Sequence, residues 1–233
     1  MAAQGNKKDA NGGRDQIAKV RAQERRAKKN RKILLATGAG LAVTALAVGI
    51  GWVAQDKTQS PTPAAAAATK MLLAPVWSGL TGQTVDGVTA DTVEHLAYHI
   101  HSHLAIYVDG EKMTVPGGVG IGTPWETQAE PDGSVWIAGG SSFYYLHTHT
   151  TDGIIHVESP TAATYVLGQF FAEWNQPLAA DRVGPDQGTV TTYVNGAVYT
   201  GDPAQIPLDP HTVIQLDVGK DVPPVPYTFA AGL

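Results

Sequence analysis

The chain has 233 residues and no cysteine, which excludes disulfides, zinc–thiolate sites and lipidation on cysteine. Its net charge of −5 is unevenly distributed. Residues 1–32 hold eleven Lys/Arg and three Asp/Glu, whereas residues 55–233 hold five Lys/Arg and eighteen Asp/Glu. The methionines (Met1, Met71 and Met113) lie outside the histidine-rich segments, which argues against a Cu(I) site because such a site would use Cys or Met.

Residues 33–54 form an uninterrupted stretch of 22 uncharged, mostly apolar residues. As a helix rising 1.5 Å per residue, this stretch is long enough to cross a hydrocarbon core of about 30 Å. It is longer than the apolar part of a cleaved signal peptide, so we favour an uncleaved anchor. The basic residues 1–32 then predict a cytoplasmic N-terminus and an extracytoplasmic C-terminal part, in a single-pass protein of the plasma membrane.

The basic tail, residues 1–32, has a second interpretation as a nucleic-acid-binding segment. We prefer a topology signal that is attracted to anionic lipid, because the tail directly precedes the apolar stretch. The membrane is therefore a predicted partner and nucleic acid is not. Residues 55–74 are rich in Pro and Ala and predict a linker, which leaves residues 75–233 as a histidine-rich extracytoplasmic domain.

Leu146–Glu158 predicts a β-hairpin around an Asp152–Gly153 turn. Counting outward from that turn places His149 opposite His156 and His147 opposite Glu158. Because side chains alternate along a strand, these four side chains would share one face of the sheet. Three imidazoles and a carboxylate at cross-strand separations of about 5 Å suit a divalent metal ion.

A second alternating segment, Tyr98–Leu104, contains His99, His101 and His103. As a strand, it would present all three imidazoles on one face. If both segments lie in one sheet, they would form a joint site, which a separation above about 12 Å would exclude. An alternative is a short helix over Asp91–Tyr98, which would make His95 and His99 neighbours one turn apart.

The remaining patterns predict strands and one main helix. Asp109–Gly110 and Asn195–Gly196 each predict a hairpin turn, and residues 212–218 predict a further strand. Ser159-Pro160 predicts the start of a helix, with an apolar stripe of Leu167, Phe170, Phe171 and Trp174 facing the core. This order favours an α+β fold with a β-grasp-like sheet; a β-sandwich or a cupin-like barrel is the alternative.

Three motifs carry a resemblance to a known family. They are His99-x-His-x-His-Leu-x-Ile-x-Val-Asp-Gly, Leu146-His-Thr-His-Thr-x-Asp-Gly-Ile-Ile-His-Val-Glu-x-Pro and Leu167-Gly-Gln-Phe-Phe-x-x-Trp. In these motifs, over residues 94–218, the chain resembles membrane-anchored, histidine-rich extracytoplasmic proteins of actinobacteria and some archaea. The resemblance implies an extracytoplasmic location and a histidine-rich domain, and it assigns no catalytic residue.

We therefore expect a membrane-anchored protein that binds a divalent metal ion, Zn(II) or Cu(II), rather than an enzyme. The candidate ligands are His147, His149, His156, Glu158, His99, His101 and His103. One alternative is an accessory subunit of a membrane protein complex whose histidines hold no metal. The other is a metal-dependent enzyme, with Glu158, Glu94 or Asp152 as a general base.

Overall fold

A computed structural model describes residues 71–130, 133–230 and 232–233. The predicted cytoplasmic tail, the predicted membrane span and the linker up to residue 70 lie outside the described residues. Within the described ranges, no helix is both long enough and apolar enough to cross a membrane.

The described residues form fourteen strands, one α-helix and one 3-10 helix. The first eight strands are β1 (Ala90–Asp91), β2 (Tyr98–Val108), β3 (Glu111–Met113), β4 (Glu126–Ala129), β5 (Val135–Gly139), β6 (Phe143–Tyr144), β7 (Leu146–His147) and β8 (Ile154–Ser159). After them come α1 (Leu167–Glu173), β9 (Leu178–Ala179), β10 (Arg182–Val183), β11 (Asp186–Gln187), β12 (Val190–Val194), β13 (Ala197–Val198), the 3-10 helix (Pro203–Gln205) and β14 (Val213–Val218). The prediction of a β-rich domain with one main helix is confirmed.

The main sheet has the strand order β13-β12-β14-β2-β8-β7, and β3 pairs with the far end of β2. β2 and β14 are parallel, and the other pairs in this sheet are antiparallel. β2 is eleven residues long and therefore pairs with β8 through its first half and with β3 through its second. The first and last long strands thus lie side by side in the centre of the sheet.

One face of this sheet packs against α1 to form the core. The core includes Leu104, Ile155 and Leu216 from the sheet and the predicted apolar stripe of α1. Leu167, Phe170, Phe171 and Trp174 are at most 1% exposed, so their prediction as core residues is confirmed. Leu73 and Ala74, at the end of the segment interpreted as a linker, also lie in this core. The opposite face carries the histidines.

Two of the predicted hairpins are confirmed, at Asp109–Gly110 between β2 and β3 and at Asn195–Gly196 between β12 and β13. In both turns the two central residues have positive φ, at 51° and 87° in the first and 52° and 80° in the second. A two-residue type I′ turn requires this backbone conformation, which Asn, Asp and Gly adopt at the lowest cost.

Two helix predictions are wrong. The helix begins at Leu167 rather than near Pro160, because Ser159 continues β8 and pairs with Tyr98. The side chain of Gln169 accepts a hydrogen bond from the backbone N–H of Val166 at 3.0 Å and so caps the observed start. The segment from Asp91 to Tyr98 is not a helix either: Asp91 ends β1 and Tyr98 begins β2.

Candidate metal centre

Three neighbouring strands place the two histidine segments on one face of the sheet. On β8, His156 lies directly between His101 of β2 and His147 of β7. His99 of β2 lies opposite Glu158 of β8. The alternate residues of these strands point into the apolar core, so the histidine face results from strand alternation. The predicted meeting of the two segments is confirmed, since the His101 and His156 ring centroids are 4.6 Å apart.

The predicted register between β7 and β8 is wrong by two residues. The structure pairs His147 with His156 and Leu146 with Val157, whereas the prediction placed His149 opposite His156. Gly153 has a φ of 83°, but Asp152 is not among the described residues with positive φ. A two-residue type I′ turn is therefore absent there, and residues 148–153 form a longer connection. Because side chains alternate with a period of two, this shift leaves His147 on the predicted face.

His149 lies beyond the end of β7 and is held by β5. Its Nδ1 atom lies 2.6 Å from the carbonyl oxygen of Ile137, and its carbonyl oxygen accepts a hydrogen bond from the Ile137 N–H at 3.0 Å. Its ring stacks on Trp136, with centroids 4.4 Å apart and planes at 6°. These contacts place the His149 ring 4.6 Å from the ring of His156, although the two residues are not paired in the sheet.

The hydrogen bonds of His147 and His149 decide which nitrogen of each ring carries a proton. Nδ1 of His147 lies 2.9 Å from the carbonyl oxygen of Tyr144, and Nδ1 of His149 lies against that of Ile137. A carbonyl oxygen can only accept, so both Nδ1 atoms donate N–H and, in the neutral rings, both Nε2 atoms keep a lone pair. Within the described residues, no group makes a hydrogen bond with His147 Nε2. Imidazoles that ligate metals are typically oriented in this way.

Glu158 is the carboxylate at the centre of the cluster and is 3% exposed. Its Oε1 atom lies 3.1 Å from His99 Nε2, 3.5 Å from His156 Nδ1 and 3.8 Å from His147 Nε2. Burial by itself would raise the pKa of Glu158, but hydrogen bonds from His156 and His99 and the nearby His147 hold it well below its ordinary value. The cluster therefore contains a carboxylate anion surrounded by imidazoles.

The deeply buried imidazoles resist protonation. Burial, together with the neighbouring His99, lowers the pKa of His101 to about 3. Burial also lowers the pKa of His149 well below its ordinary value, and His156 and His147 lower it further. At neutral pH these rings are neutral, which is the form that binds a metal ion.

Two overlapping sets of side chains could hold a metal ion. The first set is His147, His149, His156 and Glu158, and the second is His99, His101 and His156. In each set, one nitrogen or oxygen of every residue lies within 4.8 Å of the corresponding atoms of the others. All members are buried except His99, whose side chain is 12% exposed. The buried His/Glu groups are thus positioned to bind a metal ion.

The remaining predicted ligand, His103, has a different environment. It lies on the same face of β2, but its ring stacks on Tyr227, with centroids 3.6 Å apart and planes at 14°. Among the described residues it belongs to neither set of potential ligands.

Two further residues contact the centre from outside the histidine segments. Glu94, considered from the sequence as a general base, has a buried side chain whose Oε1 lies 3.6 Å from His149 Nε2. No sequence pattern indicated Trp136, because its stacking on His149 arises from tertiary packing.

No protein-family model, curated protein or solved structure matches the chain.

Proposed function

We propose that this protein is a membrane-anchored extracytoplasmic protein that binds a divalent metal ion through the set His147, His149, His156 and Glu158. The observation that carries the proposal is the orientation of two buried imidazoles. Backbone carbonyls of Tyr144 and Ile137 accept the Nδ1 protons, so Nε2 is the donor atom left on His147 and on His149. An orientation fixed in this way lowers the entropic cost of assembling a site.

The chemistry of the ligands favours Zn(II) or Cu(II). Three imidazoles and one carboxylate give a nitrogen-rich set that both ions accept. Mg(II) and Ca(II) prefer oxygen ligands, and Cu(I) prefers the thiolates and thioethers that are missing from the two histidine segments.

Holding the ion is the role that this set supports best. Four protein ligands complete a tetrahedral zinc site, whereas catalytic zinc keeps one position open. A metal-dependent enzyme is the second candidate, because Glu94 places another buried carboxylate beside His149. In that role Glu94 would act as a general base. The third candidate is an accessory subunit of a membrane complex that binds no metal. Purified protein that retains no metal would favour this candidate.

The proposed location and fold type have separate support. The basic residues 1–32 and the apolar residues 33–54 support a single-pass plasma-membrane anchor with the histidine domain outside. For the fold, we infer a β-grasp-like arrangement. It is supported by the order β8-β2-β14-β12, with a parallel pair in the middle and α1 packed on one face.

The test measures metal in the full-length chain, purified in non-ionic detergent. After removal of metal with a chelator, the protein is reconstituted with Zn(II) or Cu(II) at pH 7.5, freed of unbound ion and measured by elemental analysis. We expect at least one retained equivalent, and at least one fewer in the double variant His147→Gln/His149→Gln.

The matched control is His211→Asn, which removes the imidazole of an exposed residue outside both sets. His211 has a φ of 62°, a conformation that Asn tolerates, so this variant should retain the wild-type amount of metal. A folded wild-type protein that retains neither ion would overturn the proposal and favour the accessory-subunit alternative.

A further inference from the structure

The second set of potential ligands, His99, His101 and His156, lies along the pairing between β2 and β8. The ring of His101 is 4.5 Å from that of His99 and 4.6 Å from that of His156, measured between centroids. The rings of His99 and His156 are 5.8 Å apart. Three imidazoles converging from two paired strands are enough to hold a Zn(II) or Cu(II) ion.

We propose that this second set binds a second metal ion next to the first, so that the protein contains a two-metal centre that shares His156. The proposal rests on the proposed function, because the first ion occupies the set His147, His149, His156 and Glu158. The shared residue makes the two sets adjacent, since His156 has His101 on one side and His147 on the other.

Two side chains can serve both ions. An imidazole has two nitrogens, and Nδ1 of His156 lies 3.5 Å from Glu158, a member of the first set. That contact assigns Nδ1 to the first ion and leaves Nε2 for the second. Because a neutral imidazole carries one N–H, His156 releases this proton to solvent when both ions bind and bridges them as an imidazolate. Glu158 Oε1 also lies 3.1 Å from His99 Nε2, which belongs to the second set. The carboxylate therefore contacts both sets, as expected of a residue that links two metal ions.

The charges of the cluster allow two cations to bind, but with unequal affinities. The ionised Glu158 lies within reach of both ions, and Glu94 adds a buried carboxylate 3.6 Å from His149. These carboxylates offset part of the repulsion between two dications, and the remaining repulsion weakens the binding of the second ion. We therefore expect two successive binding steps with different affinities.

The exposure of the ligands indicates which ion exchanges more readily. The first set is buried throughout, with its four members at most 3% exposed. The second set includes His99, the most exposed of the cluster histidines, with a side chain 12% exposed. The second ion thus lies on the side nearer to solvent and should dissociate first.

The test titrates the metal-free, full-length protein in detergent with Zn(II) alone at pH 7.5, using calorimetry and elemental analysis after gel filtration. We expect two equivalents for the wild type, bound in two steps, and one equivalent for His101→Gln. His99→Gln is a second variant at a less buried position, in case His101→Gln does not fold. The control His211→Asn should bind two equivalents.

Loading with Cu(II) provides an independent readout. Two adjacent Cu(II) ions should give a magnetically coupled electron paramagnetic resonance spectrum in the wild type, and His101→Gln should give the spectrum of an isolated ion. One equivalent in the wild type would overturn the second site and leave the proposed function standing. No bound metal in the wild type would overturn both. Loss of all metal in folded His101→Gln and His99→Gln would show a single joint site and also overturn the second.

Discussion

His101 on β2 and His156 on β8 lie directly opposite each other, with ring centroids 4.6 Å apart and ring planes at 83°. Both residues are buried, at 5% and 3% exposure. This pair joins the two histidine segments of the chain into one cluster. It also buries both imidazoles, and burial disfavours their protonated forms because these forms lose hydration.

We expect the metal-free protein to lose stability as the pH falls below 6.5. Burial and the neighbouring His99 lower the pKa of His101 to about 3, whereas the unfolded chain protonates this residue near 6.5. Between these values the unfolded state binds a proton that the folded state does not, so acid favours unfolding. One such group lowers the free energy of unfolding by about 1.4 kcal/mol per pH unit.

The measurement is urea unfolding of the metal-free chain in detergent at pH 7.5, 6.0 and 5.0. The variant His101→Gln lacks this proton uptake, so its stability should depend less steeply on pH than that of the wild type. Equal pH dependence in the two proteins would show that His101 is not the group responsible.

A second prediction concerns Trp136, whose ring lies parallel to that of His149 at 4.4 Å. In Trp136→Leu the stacking surface is lost, and the His149 ring keeps its hydrogen bond from Nδ1 to the carbonyl oxygen of Ile137. Residues that orient a ligand typically contribute 10–100-fold to metal affinity, and we expect a loss of about this size. Competition with a chromophoric zinc chelator measures it.

Trp77→Leu is the matched control, because the half-buried ring of Trp77 lies against Gly79 rather than on the cluster or on the residues that hold it. It should leave zinc affinity unchanged even if it lowers stability. Unchanged affinity in Trp136→Leu would mean that stacking plays no part in positioning His149.

Much of the fold and of the cluster could be predicted because it depends on neighbouring residues in the chain. Alternation along Tyr98–Val108 and Ile154–Ser159 correctly separates the histidine face from the apolar face. The turns at Asp109–Gly110 and Asn195–Gly196 follow from the backbone preferences of Asp, Asn and Gly.

What could not be predicted depends on tertiary contacts. The start of α1 is set by the pairing of Ser159 with Tyr98, which overrides the local Ser-Pro signal. The register at His147 is set by a longer connection, although Asp152–Gly153 is a strong local turn signal. The contact of Glu94 with His149 brings together residues far apart in the chain, and no short pattern reports it.

A third prediction concerns Gly120, which has a φ of 71° and packs directly against β7. A Cβ atom there would collide with the carbonyl oxygen of Leu146 and lie 2.9 Å from the Cβ of His147. Gly120→Ala should therefore displace β7, lower stability by about 2–5 kcal/mol and reduce the metal bound by the first set. Denaturant unfolding and elemental analysis measure the two effects.

The control variant Gly82→Ala separates the effect of backbone strain from the effect of a steric collision with β7. Gly82 has a φ of 94°, but a Cβ there would meet nothing within 4 Å. Its substitution should cost only the strain of the left-handed conformation, about 1–2 kcal/mol, with full metal binding. If both variants lost equal stability and kept their metal, the close packing of Gly120 on β7 would not position His147.

The last prediction concerns Glu173, a fully buried residue of α1 that packs on the core side of β7. Burial raises its pKa well above the ordinary value, and the neighbouring Leu146 backbone offsets this only in part. No hydrogen bond of good geometry reaches either oxygen from the described residues. The unfolded chain ionises this group near pH 4.5, so the folded state holds an extra proton above that pH. Stability therefore falls as the pH rises until the folded-state pKa is passed.

Glu173→Gln resembles the protonated side chain and does not titrate, so it should remove this part of the pH dependence. Relative to the wild type, we expect its stability to be higher at pH 8 than at pH 5, by about 1.4 kcal/mol for each pH unit over which the folded wild type keeps a proton that its unfolded chain has released. Urea unfolding at pH 5 and pH 8 measures the difference, and the exposed Glu111→Gln serves as the control with no expected change. A stability difference between variant and wild type that is the same at pH 5 and pH 8 would show that the folded protein does not raise the pKa of Glu173. Because this change acts on the opposite face of the sheet from the histidines, metal binding should stay at the wild-type level.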